Sequence, residues 1–182
     1  MSQIYEVYHV VTERPMQLGQ HIIFDDQHHS GVYERVMQRA GVVEDIYRDP
    51  EKYRGQELEY PLMVALRELA LEEVRRERYP DYPSRMGCLY VSETLQEATQ
   101  WAEYFISLGR PTFSVVKMRV SGNLFAGDAT KCFDGCVDHE ENLRMAARYW
   151  ENGENPPDEP PIKEILVSGD LEVVEIIREF ET

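Results

Sequence analysis

The chain has 182 residues, enough for one ordinary domain with a sizeable core. Hydrophobic residues are 42% and charged residues 29%, the range of soluble globular proteins, which argues against intrinsic disorder. Asp and Glu outnumber Lys and Arg by 34 to 19, so the formal net charge is −15, and a surface of that sign is repelled by nucleic-acid phosphates and by anionic membranes.

In chain order, Ile4 to Thr12 reads as a strand with Tyr5, Val7, His9 and Val11 on one face and Tyr8, Val10 and Thr12 on the other. Bulky groups on both faces predict a central position. A short strand is expected over His21–Phe24, followed by a polar turn beside His28 and His29. Ser30 is placed to cap a helix carrying Val32, Val36 and Ala40, with Gly41 as its left-handed terminator. From Glu57 the pattern is helical to about Arg78, with Pro61 in the first turn and Leu62, Leu66, Leu69 and Val74 as the stripe. Its end, Arg75, Arg76 and Arg78, reads as a solvated face helped by the helix dipole and Glu72.

Cys88–Ser92 is a short predicted strand. Thr94 and Glu97 have capping-box spacing and open a helix whose expected buried stripe is Leu95, Ala98, Trp101, Ala102 and Phe105. Thr112–Val120 reads as a strand, Ser121-Gly122-Asn123 as a turn and Leu124–Ala126 as a return strand. Residues 127–137 read as irregular. Asp138 and Glu141 are placed to cap a helix through Trp150, and an acidic, Pro-rich loop follows to Pro161. Ile162–Val167 and Leu171–Ile177 complete the reading as a terminal hairpin across Ser168-Gly169-Asp170. Short links of this kind predict an α+β fold with antiparallel pairing, in a single domain over residues 1–182.

No glycine-rich phosphate loop, HExxH or GxSxG occurs, so the common nucleotide-binding, zinc-protease and serine-hydrolase signatures are absent. Three cysteines, Cys88, Cys132 and Cys136, make no disulfide framework and suit a reducing cytoplasm. The N-terminus carries no signal-peptide pattern, and no stretch approaches the roughly 18 apolar residues of a membrane span. Cys132, Cys136 and His139 offer two thiols and an imidazole, but no second CxxC or HxxxH completes a zinc set; free thiols in a loop are the simpler reading. His21, His28 and His29 are candidate ligands or bases, or ordinary turn histidines.

Two residues carry more. Glu164 shares a strand face with Ile162 and Leu166, where an unpaired carboxylate is costly unless it lines a cleft. His9 sits among Tyr5, Val7 and Val11; the alternative reading of each is a strand-end acid and a satisfied core histidine. Tyr90 and Ser92 share a face of the middle strand.

Tyr8-His9 on the first strand, Gly87-Cys88-Leu89-Tyr90-Val91-Ser92 leading into a helix with Trp101, and Glu164 on a late strand recur in a familiar order. This resembles the His–Tyr–Glu arrangement of the ADP-ribosyltransferase superfamily, on the poly-ADP-ribose polymerase and diphtheria-toxin side. Gly87–Ser92 looks like that family's Gly-x-Tyr-Phe-Ala strand with one residue extra. Trp101, eleven residues after Tyr90, matches its second nicotinamide-stacking aromatic in position. The Gly-Thr or Gly-Ser that usually follows the histidine is Val10-Val11 here. The whole chain is also similar to a bacterial family, a domain of unknown function, associated with the same superfamily fold.

The resemblance implies split antiparallel sheets around a cleft with helices packed outside, and NAD as substrate with no metal. It implies that Glu164 holds the nicotinamide-ribose hydroxyl and stabilises the oxocarbenium-like state, that Tyr90 and Trp101 clamp the nicotinamide, and that His9 bonds the adenosine ribose. Ser92 shares the binding strand, and Arg85 is placed to meet the pyrophosphate. His9, Tyr90, Trp101 and Glu164 are expected to line one pocket. The implied activity is transfer of ADP-ribose to a protein or small-molecule acceptor; the alternative is a non-catalytic module of the same fold that binds a partner.

Overall fold

In the computed structural model, residues 3–181 are described. In chain order they form β1 (Gln3–Thr12), β2 (His21–Phe24), α1 (Gly31–Met37), α2 (Ala40–Arg48), α3 (Pro50–Tyr53), α4 (Tyr60–Arg78), β3 (Leu89–Val91), α5 (Leu95–Ser107), β4 (Thr112–Asp128), α6 (His139–Glu151) and β5 (Lys163–Glu179). A 3₁₀ turn over Ala129–Lys131 separates β4 from α6. These elements divide between two compact units, one within Met1–His28, Cys88–Phe125 and Glu164–Thr182, the other over His29–Gly87 and Ala126–Lys163. Among the described residues, no helix is long and apolar enough to cross a membrane.

The first unit holds the sheet. The α+β class holds, with antiparallel pairing of β1 with β4, β2 with β5 and β3 with β5. The strand order is β1-β4-β5-β2, with β3 also on β5. β3 touches β1 through one bridge, Tyr8–Ser92, with reciprocal backbone bonds of 2.9 and 2.7 Å. The pairings therefore run β1–β4–β5–β3 and return to β1. One curled five-stranded sheet stands where two separate sheets were expected.

Two further expectations are corrected. Neither Ser121-Gly122-Asn123 nor Ser168-Gly169-Asp170 is a turn: β4 and β5 each run 17 residues without interruption. The glycines serve close approach instead. A side chain on Gly122 would overlap the Ser168 carbonyl oxygen and come within 2.9 Å of Gly169 Cα, and one on Gly169 would overlap the Ser121 carbonyl. Gly169 also takes φ +107, a region side chains rarely enter.

One face of the sheet carries Val7, Val11, Val91, Val116, Met118, Ile165 and Val167 as an apolar core. On the other face α5 packs through Ala98 and Ala102, both fully buried, against Val10 and Val115. The helix starts as expected: Thr94 Oγ1 accepts the Glu97 N–H at 3.1 Å. The expected stripe was too broad, because the contact is centred on Ala98 and Ala102. Leu95 and Trp101 flank it and stay 39% and 37% exposed.

The second unit is helical. Val36, Val43, Ile46, Ala65, Leu66, Met86 and Val137 form its core, and α4 packs on α1 and α6. Gly41 does not end a helix. The chain breaks at Gln38–Arg39, and Gly41 lies in the first turn of α2. Ser30 and Asp138 stand at the N-cap positions of α1 and α6 but turn their side chains elsewhere. Ser30 donates to the Met86 carbonyl at 3.0 Å, and Asp138 accepts from Arg54 at 2.9 Å. The arginine end of α4 is not wholly solvated either: Arg75 is largely buried, bonding Glu72 and the Pro80 and Tyr82 carbonyls.

Candidate functional site

Strand register decides which predicted residues meet. Leu89 pairs with Val167, Tyr90 with Leu166 and Val91 with Ile165. Cross-strand partners share a face, and residues two apart on a strand share it too. Tyr90, Ser92, Glu164 and Leu166 therefore share one face of the β3–β5 ladder. The Tyr8–Ser92 bridge extends that face to Tyr8 and Val10 on β1, where α5 packs and where Trp101 is carried. Leu166 is fully buried and Ser92 nearly so, Glu164 is partly buried, and Tyr90 remains 45% exposed. That face thus carries an exposed aromatic ring, a hydroxyl and a carboxylate. On α5, Trp101 meets Tyr104 and Phe105, with ring centroids 5.9 and 5.7 Å away.

His9 belongs to the other face. It pairs with Val116 and alternates with Val7 and Val11, so the register separates it from Tyr90, Ser92 and Glu164. His9 therefore does not share a strand face with Tyr90 and Glu164. The His9 ring instead ties β1 to β3: Nδ1 lies 2.7 Å from the Tyr90 carbonyl oxygen. A carbonyl only accepts, so Nδ1 carries the proton and donates. Burial pushes the imidazole down from 6.5 to about 4, opposed by that hydrogen bond and assisted by the Arg110 charge. His9 is neutral at pH 7.

Arg85 belongs to the second unit, just before β3, and is 8% exposed. Its guanidinium meets Glu68 at 3.1 Å, the Tyr149 hydroxyl at 2.8 Å and Cys132 Sγ at 3.9 Å, and stacks over the Tyr149 ring. Arg67 bonds Glu68 from the other side at 3.1 Å. The sequence reading missed this buried cluster. Its signal was Glu68 itself, 4% exposed, at helical spacing with buried Ala65 and Leu71.

The candidate metal ligands go separate ways. Cys132 faces Arg85, Cys136 Sγ faces the Asp138 carbonyl at 3.7 Å, and His139 bonds Glu73 at 2.9 Å. Among the described residues, no group of three or more His, Cys, Asp or Glu is placed to hold a metal ion. His21 and His28 pair with Asp170 and Asp25 at 2.8 and 2.7 Å on exposed surface, and His29 stacks on Tyr33.

The chain belongs to the family described as "Protein of unknown function (DUF2441)", whose model matches residues 7–179. No curated protein matches it.

Proposed function

We propose that this chain is an NAD-binding, ADP-ribosyltransferase-like protein in which Tyr90, Ser92 and Glu164 receive the nicotinamide–ribose end of NAD. The observation that supports this is the shared face of those three residues. An exposed tyrosine ring on the same face as a carboxylate suits a flat cationic ring joined to a ribose. Tyr90 stacks on the nicotinamide, and Trp101 supplies a second aromatic surface. Glu164 accepts from the ribose hydroxyl next to the anomeric carbon and opposes the positive charge that grows as the glycosidic bond breaks. Nicotinamide departs with the bonding pair, and a nucleophile of a protein or small-molecule acceptor takes its place at that carbon and gives up a proton. His9 acts here as a positioning residue, holding the Tyr90 backbone through its carbonyl, rather than as a contact to the adenosine ribose.

One observation favours a second reading, a partner-binding module without catalysis: His9 and Glu164 lie on opposite faces. Titration with NAD followed through tryptophan fluorescence, then measurement of released nicotinamide, separates the two. On the first reading wild-type protein binds NAD and releases nicotinamide. Glu164→Gln then lowers the rate roughly 10²–10³-fold with little change in NAD affinity. Tyr90→Ala weakens binding by about 1 kcal/mol. No NAD binding at millimolar concentration overturns both parts. Binding without release leaves the module reading.

A further inference from the structure

We propose that the exposed face of α5 is a self-association surface, on which a second copy of this chain seats its own α5 antiparallel to the first. The surface lies wholly within the first unit. α5 buries Ala98 and Ala102 against the sheet, and its apolar residues do not stop there. Trp101, Tyr104 and Leu108 follow one another at steps of three and four, which stacks them in one stripe along the helix and its C-cap. They are 37%, 53% and 62% exposed. Trp101 and Tyr104 already hold each other edge to face, so the stripe is a preformed ridge. Single exposed apolar residues are ordinary; three in one stripe, two of them aromatic, mark a contact surface.

What covers the stripe follows from the charges at its two ends. Glu97, in the first turn of α5, continues it four residues before Trp101. At the other end Arg110 packs over the Phe105 ring at 4.6 Å and bonds the Thr12 hydroxyl at 3.0 Å, with the Glu13 carboxylate 4.0 Å away. Glu103, the other acid of α5, lies about 100° round the helix from Tyr104. An antiparallel two-fold pairing centred on Tyr104 sets Trp101 of each copy between Tyr104 and Leu108 of the other. It also brings the Glu97 end of one helix to the Arg110 end of its partner. Each patch then meets its own complement, as an isologous interface requires, and the two helix dipoles oppose. A parallel pairing would set like charge against like at both ends. On side chains of this size those exposures amount to roughly 300 Å² per copy, and flanking residues raise the pairing to on the order of 1,000 Å² in total. That is the size of a weak, reversible association. The pairing goes beyond the NAD reading: it makes no use of Tyr90 or Glu164, shares only Trp101 with it, and is tested without nucleotide.

The test is sedimentation equilibrium of the full chain from about 5 to 500 µM, paired with acrylamide quenching of tryptophan fluorescence. Salt near 0.15 M screens the repulsion between two chains of charge −15 beyond about 8 Å. The chain has two tryptophans and Trp150 is fully buried, so the quencher reads Trp101. Wild type should show a monomer–dimer equilibrium with Kd on the order of 100 µM, and quenching should fall about twofold as the dimer fills. Leu108→Glu should stay monomeric with quenching independent of concentration and an unchanged melting curve. Arg110→Glu should weaken association about tenfold, and adding Glu97→Lys should restore it. Wild type that remains monomeric throughout, a dimer in which Trp101 is quenched as freely as in the monomer, or a dimer that Leu108→Glu leaves intact overturns the inference. No recovery in a folded double charge reversal overturns the antiparallel pairing. The quenching of wild type decides the matter if a variant fails to fold.

Discussion

His9 makes stability depend on pH between its unfolded and folded values. In the unfolded chain its imidazole has the ordinary value near 6.5; in the fold, burial holds it at about 4. Between those values the unfolded state binds the extra proton and the native state does not. Stability therefore falls as pH drops from 6.5 toward 4 and is fully present above 6.5. The separation of the two values corresponds to about 3 kcal/mol in the limit, of which about 2 kcal/mol is lost by pH 5. That is a large share of an ordinary domain's stability. His9→Gln keeps an N–H donor for the Tyr90 carbonyl and removes the titration. The assay is urea unfolding of both proteins at pH 7.5, 6, 5 and 4.5. Wild type should lose about 2 kcal/mol between pH 7.5 and 5 beyond whatever the variant loses. Parallel losses in the two proteins would refute the neutral histidine and with it the positioning role.

Two other substitutions probe the fold. Gly122→Ala should destabilise by about 1–3 kcal/mol or more, since the added methyl meets the backbone of β5, whereas Gly41→Ala, in open space on α2, should be neutral or stabilise by up to about 1 kcal/mol. Equal melting shifts for the two would remove the close crossing. Glu68→Ala strips the buried carboxylate from Arg85 and Arg67 and should cost about 3–5 kcal/mol in chemical unfolding; a loss under about 1 kcal/mol would show that the pair is not buried as described.

What the sequence disclosed was what short-range physics controls. β1 was legible as a strand because its apolar residues alternate onto both faces, but the central place expected for it was not met: it stands at the end of the strand order, with a single bridge on its other edge. The starts of α4 and α5 were legible because Pro61 and the Thr94–Glu97 spacing act within one turn. Gly122 and Gly169 were misread because glycine in a turn and glycine at a close backbone crossing look the same along the chain. Only the partner, some 47 residues away, distinguishes them. Likewise Ser30 and Asp138 are proper cap residues by type, but Met86 and Arg54 offer their side chains other partners.

The candidate site divides along the same line. Parity within one strand correctly put Tyr90 with Ser92 and Glu164 with Leu166, and the β3–β5 register then joined the two pairs. Parity alone could not say which face of β1 meets which face of β3. That depends on the Tyr8–Ser92 bridge, and a register shifted by one residue would have brought His9 to the Glu164 side. The bridge thus fixes the role open to His9. With Tyr8 opposite Ser92, the imidazole cannot share a ligand face with Glu164 and instead donates to the carbonyl of the residue that carries the exposed ring. The consequence is specific. The Tyr90 backbone is tied to β1 by a hydrogen bond from a neutral, partly buried histidine, so whatever binds that ring is coupled to the stability of β1 against β3.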